Sequence, residues 1–132
     1  MHKKIMLVDD NPIDRFTANI SLKKNGFAEE VILKESAMEA LDYLQQHIGL
    51  PEELPSLIFL DINMPEMNGF EFLDAFAKLD PTIHNTCVIL MLSTSLNPDD
   101  HARAASCPFV RSFLTKPLMK QKLLELEMAG IA

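Results

Sequence analysis

Short unbroken apolar runs alternate along the chain with longer stretches in which apolar residues recur every three or four positions. Residues 5–8, 31–33, 57–60 and 87–92 are runs of strand length, and 110–115 is a more mixed one. Continuous apolar runs of this length indicate strands buried on both faces, as in parallel sheets. Helical stretches lie between them. Asn11-Pro12 opens the first, since Asn can cap and Pro at the first helical position sacrifices no hydrogen bond; Asp14 falls in the first turn, where the helix dipole favours an acid. Ile13, Phe16 and Ile20 predict its apolar face, and Asn25-Gly26 its end.

The second helix begins with Ser36 and Glu39 at capping-box spacing, continues through Ala37, Leu41, Leu44 and Ile48, and closes at Gly49. Phe70, Leu73, Phe76 and Ala77 predict a third, broken by Asp80-Pro81. Asn97-Pro98 opens a fourth with only Ala102, Ala104 and Ala105 as apolar residues before Cys107-Pro108, so it should pack loosely. Met119, Leu123 and Leu126 form the inner face of a fifth. Five strands alternating with five helices, joined by right-handed crossovers, predict an α/β fold: a doubly wound parallel sheet in the flavodoxin-like order 2-1-3-4-5, with helices on both faces.

That order makes the first and third strands neighbours. Asp9 and Asp10 follow one apolar run and Asp61 the other, so three carboxylates meet at the rim where open α/β sheets bind ligands. The fourth strand ends at Ser93, Thr94 and Ser95, and the fifth at Lys116-Pro117, which brings Ser93 and Lys116 to the same edge. Clustered acids repel and need a cation to coexist. Carboxylates with a hydroxyl and a lysine suit an oxygen-liganded divalent cation beside a phosphoryl group, and a carboxylate can itself accept a phosphoryl group.

With 132 residues the chain fits one domain, and the breaker-rich stretch 49–55 reads as a loop and not as a linker. A net charge of −7 argues against nucleic-acid or anionic-membrane partners, which need clustered Lys and Arg. Neither a membrane-length apolar run nor a secretory leader is evident, which points to the cytoplasm. Cys87 and Cys107 read as free thiols, the four histidines have no ligand spacing, and the eight methionines read as core filler.

Taken singly, each rim residue has an ordinary explanation: a solvated strand end for Asp9-Asp10, a surface lysine for Lys116, a cap for Ser93, a core aromatic for Phe113. Together, Val8-Asp9-Asp10, Leu60-Asp61 with Met64-Pro65 and Gly69, Ser93 after an apolar strand, and Phe113 three residues before Lys116-Pro117 resemble the receiver domain of bacterial two-component response regulators. The resemblance spans practically the whole chain, as a stand-alone receiver, 1–132, with no output domain. It implies that Asp61 accepts phosphate from a histidine kinase or phosphotransfer protein. It also implies that Mg²⁺ is held by Asp9, Asp10, Asp61 and the backbone carbonyl of Asn63. Lys116 would pair with the phosphoryl oxygens, Ser93 would move toward them, and Phe113 would be the switch aromatic. Output would pass through the fourth helix, fifth strand and fifth helix to a protein partner or second copy. Thr94 stands where relatives often carry Ala or Gly, crowding the approach of water and phosphodonor.

Two rivals belong to other classes. A phosphatase of the haloacid-dehalogenase type shares the strand-end Asp, Mg²⁺ and lysine, but wants a second acid two residues on, where this chain has Asn63. A degenerate receiver serving only as a scaffold would not be expected to keep the acid cluster and lysine intact.

Overall fold

The structure is a computed structural model that describes residues 2–94 and 97–130; Ser95, expected among the residues ending the fourth strand, lies outside them. In chain order the elements are β1 (His2–Val8), α1 (Pro12–Lys24), β2 (Ala28–Lys34), α2 (Ala37–Gln46), β3 (Leu57–Asp61), α3 (Gly69–Phe76), α4 (Pro81–Thr86), β4 (Val88–Ser93), α5 (Pro98–Ala105), β5 (Val110–Thr115) and α6 (Lys120–Met128). The strands form one parallel sheet in the order β2-β1-β3-β4-β5, as expected.

Strand side chains alternate between faces, and the alternation sorts the core into two layers. Met6, Val8, Ile58, Leu60, Ile89 and Met91 pack on one side with residues of α2, α3 and α5. Ile5, Leu7, Leu57, Phe59, Leu90 and Leu92 pack on the other with Ala18 and Leu22 of α1 and Leu123 and Leu126 of α6. All five residues of β3 are buried, which is why its sequence is unbroken apolar until Asp61.

The described residues hold six helices, not five. Asp80-Pro81, expected only to break α3, starts α4: the Asp80 carboxylate accepts hydrogen bonds from the Thr82 backbone N–H at 2.9 Å and its hydroxyl at 2.7 Å. This is the same cap-then-proline grammar as Asn11-Pro12 and Asn97-Pro98. The predicted inner face of α1 is also corrected. Ile13, Phe16 and Ile20 are 74%, 65% and 46% exposed, whereas Ala18 and Leu22 meet the sheet. At 100° per residue, Phe16 and Ile20 lie about 160° around the helix from Ala18. Met119 is likewise exposed; it precedes α6, and Leu118 is buried instead. Ile48 is exposed beyond the end of α2. Within α5 only Ala104 is buried, in keeping with its sparse apolar pattern.

Of the methionines, Met6, Met64 and Met91 are core residues, while Met38, Met119 and Met128 are exposed. Both cysteines are free, and burial pushes the Cys87 thiol up to about 12, so it stays protonated.

Candidate functional site

The sheet carries Asp9 just past β1 and Asp61 at the last position of β3, and Val8 pairs with Leu60, so the two carboxylates leave adjacent strands at nearly the same height. Both are buried, at 1% and 6% exposure. With Asp10, which reaches solvent, each can offer a carboxylate oxygen within 4.8 Å of the others. Asp9 is fixed on both sides: its Oδ1 accepts the Asn11 N–H at 2.9 Å, and its backbone carbonyl accepts from the Arg15 guanidinium at 2.8 Å, itself paired with Glu35 at 3.3 Å.

Asp61 is followed by a tight loop. The Asn63 backbone N–H points at Asp61 Oδ1 at 3.4 Å, and the Gly69 N–H closes the loop on the Ile62 carbonyl at 2.8 Å. Glu66 at its tip has φ +66°, a left-handed backbone that costs a non-glycine residue about 1 kcal/mol or more. Gly69 must be glycine, because a Cβ there would lie 2.8 Å from the Asp61 carbonyl oxygen and 2.9 Å from the Ile62 Cα. Asn68 and Glu71 then cap α3 reciprocally.

Lys116 enters from β5, where its N–H bonds to the Ser93 carbonyl at 2.9 Å and the Lys116–Pro117 peptide is cis. Its ammonium donates to Asp9 Oδ2 at 2.8 Å and Asp14 Oδ2 at 3.0 Å, and lies 3.5 Å from Asp61 Oδ2. Burial would lower the lysine pKa, but the bonds to Asp9 and Asp14 outweigh it and the net shift is upward. Asp61 is raised to about 6: burial is the largest cause, Lys116 opposes it, and the Asp9 charge adds to it. Beside Lys116 a cavity of about 210 Å³ opens between α1 and the ends of β4 and β5, lined on its polar side by Asp9, Asp14, Thr17, Thr94 and Lys116.

The structure thus brings Asp9, Asp10, Asp61 and Lys116 together as expected, with Ser93 fully buried one residue beyond Leu92, the β4 partner of Asp61. Phe113 is set apart from them. It is half-buried on β5 opposite Met91, and its ring stacks on His101 of α5 with centroids 3.8 Å apart and planes at 28°. Sequence reasoning missed three contributors: Asp14, taken only as a dipole partner; Arg15, which braces Asp9; and His101, which covers Phe113. No spacing in the sequence pairs Asp14 with Lys116, 102 positions away.

The acid cluster suits a hard divalent cation. Its donors are all oxygens, two of the three carboxylates are buried, and the repulsion that adds to burial in raising Asp61 is what a bound cation would relieve. Known proteins resemble this chain over most of its length. Residues 5–126 match the response regulator receiver domain. The chain is 32% identical over 119 residues to a probable methanogenesis regulatory protein, FilR2, of Methanothrix harundinacea, covering 90% of this chain and 75% of that one. It is 28% identical over 125 residues to the two-component response regulator ORR1 of Oryza sativa, covering 93% of this chain and about half (53%) of that one. The crystal structure of a two-component response regulator from Cytophaga hutchinsonii superimposes with a TM-score of 0.88 at 30% identity, covering 97% of this chain and 96% of that one. The fold, the strand-end carboxylates and these matches agree: the chain belongs to the response regulator receiver domain family.

Proposed function

We propose that residues 1–132 act as one phosphoacceptor unit of a two-component relay, taking a phosphoryl group onto Asp61 from a sensor histidine kinase or a phosphotransfer protein. The observation that carries this reading is the placement of Asp61: a buried carboxylate at the strand end, 3.5 Å from the Lys116 ammonium and grouped with two more acids. An Asp61 oxygen attacks phosphorus as the P–N bond to the donor's imidazole breaks, and the leaving imidazole takes up a proton. Asp61 must be ionised to attack. Its pKa of about 6 in the cation-free site already leaves it so at neutral pH.

Asp9, Asp10, Asp61 and the Asn63 carbonyl would hold Mg²⁺. Bound there, the ion would neutralise the acids and stabilise charge on the phosphoryl oxygens. Lys116 binds one of those oxygens, and the Ser93 hydroxyl turns toward another. Phe113 then shifts relative to His101, altering the α5, β5 and α6 face that a protein partner or a second copy reads. The exposed strip of Ile13, Phe16 and Ile20, with Ile20 and Met119 lining one groove, supports a protein as the phosphodonor. Two free thiols and a chain with no helix, among the described residues, long and apolar enough to cross a membrane accord with a cytoplasmic setting.

Mass spectrometry after incubation with acetyl phosphate and Mg²⁺ tests the assignment. The natural chain should gain one base-labile phosphoryl group and Asp61→Asn none; label persisting in the variant would place the acceptor elsewhere. The phosphatase reading predicts instead catalytic turnover of alkyl phosphates, for which position 63 supplies no acid.

A further inference from the structure

Lys116 is shared unequally. Its ammonium has three N–H donors and faces three carboxylates, but hydrogen bonds go to Asp9 and Asp14, while Asp61 at 3.5 Å is only an ion-pair neighbour. Asp9 is buried on its own backbone clamp and cannot follow the lysine far. Asp14 differs: it sits in the first turn of α1, its side chain is 43% exposed, and it reaches Lys116 across the mouth of the cavity between α1 and β5.

We propose that Asp14 is a positioning residue that holds the Lys116 ammonium toward α1 and thereby restrains phosphoryl uptake at Asp61. The inference rests on Asp61 being the phosphoacceptor. A phosphoryl group arriving there needs the lysine's positive charge on its own oxygens, and drawing Lys116 over means loosening the 3.0 Å bond to Asp14. The Asp14 carboxylate also places one more negative charge beside the route of an anionic donor, where it slows approach. Both effects act in the same direction, and both depend on the charge of Asp14 and not on its shape.

Asp14→Asn removes the charge and keeps the shape; Asp14→Glu keeps the charge. With acetyl phosphate and Mg²⁺, Asp14→Asn should take up phosphate about 1.5-fold to fivefold faster than the natural protein, the range for loss of a partly exposed charge pair. Its affinity for beryllofluoride, which stands in for the phosphoryl group, should rise by a similar factor. Asp14→Glu should stay near the natural rate. The Lys116 side-chain ¹⁵N shift, read without any donor, should move in Asp14→Asn and much less in Asp14→Glu, while the melting temperatures of all three stay close. An Asp14→Asn rate equal to or below the natural one, or equal acceleration by both variants, overturns the inference. So does an unmoved Lys116 signal. No label on the natural chain defeats the phosphoacceptor reading and the inference with it, whereas label on Asp61 at equal rates defeats the inference alone.

Discussion

Two ends of the same sheet edge are built by opposite rules. Where β1 and β3 end, buried carboxylates are crowded together, braced by Asn11, Arg15 and the closed 62–69 loop, and held at an energetic disadvantage that Lys116 only partly offsets. Where β4 and β5 meet α5, the apolar packing is sparser: the helix buries only Ala104, and Phe113 rests half-exposed against His101. A rigid, charge-strained corner is suited to binding and chemistry, because its groups are fixed before the reacting group arrives. A sparsely packed aromatic contact is suited to moving, because little apolar burial is lost when it shifts. Lys116 and Ser93 stand between the two.

The comparison breaks most readily at Gly69. Its absent Cβ lets the loop close on the Asp61 backbone, so Gly69→Ala should destabilise the protein by about 3 kcal/mol, the upper range for overpacking against atoms that cannot yield. Denaturant unfolding would measure this; a loss under 1 kcal/mol would mean that the corner is looser than described.

A smaller effect of opposite sign is expected at Asp61 itself. Its pKa is raised from the ordinary 3.8 to about 6, so the folded state binds the proton more tightly than the unfolded chain does. Stability is therefore lost as pH rises between those values, with the full penalty present above about 6 and none below 3.8. In chelator at pH 7, Asp61→Asn should be more stable than the natural protein by about 1–3 kcal/mol, and the gain should vanish as the pH approaches 4. A variant no more stable at pH 7 would contradict the strain assigned to the acid corner.

Smallest is the effect of His101→Ala. Loss of the ring stack should cost about 0.5–1.5 kcal/mol in denaturant unfolding and leave Asp61 the residue that is labelled. Loss of labelling altogether would show that the acid corner is held by α5 and not by its own braces.

The sheet and the acid corner were legible in the sequence for one physical reason. A strand buried on both faces leaves an unbroken apolar run, and the first polar residue after it marks the rim; Asp9, Asp61 and Ser93 were each found that way, whereas Lys116 was placed by the Lys116-Pro117 break that ends a more mixed strand. The face of α1 was not legible, because Ile13, Phe16 and Ile20 keep helical spacing without meeting the sheet, and the spacing cannot say which side of a helix is covered. Asp14 was missed for the same reason, since its contact with Lys116 spans 102 positions and depends on how α1 is turned. The α4 helix was hidden because a cap followed by proline can end one helix or begin another.

The coupling between the two ends is tested most directly by comparing amide NMR spectra of the apo protein with those of the form bound to Mg²⁺ and beryllofluoride, the metal fluoride occupying the place of the phosphoryl group. Beyond the acid corner and Lys116 itself, the largest shifts should fall between Asn97 and Leu126, with His101 and Phe113 among them. Shifts confined to the loops bearing Asp9, Asp10 and Asp61 would contradict the account and leave Phe113 as a core aromatic with no part in the output.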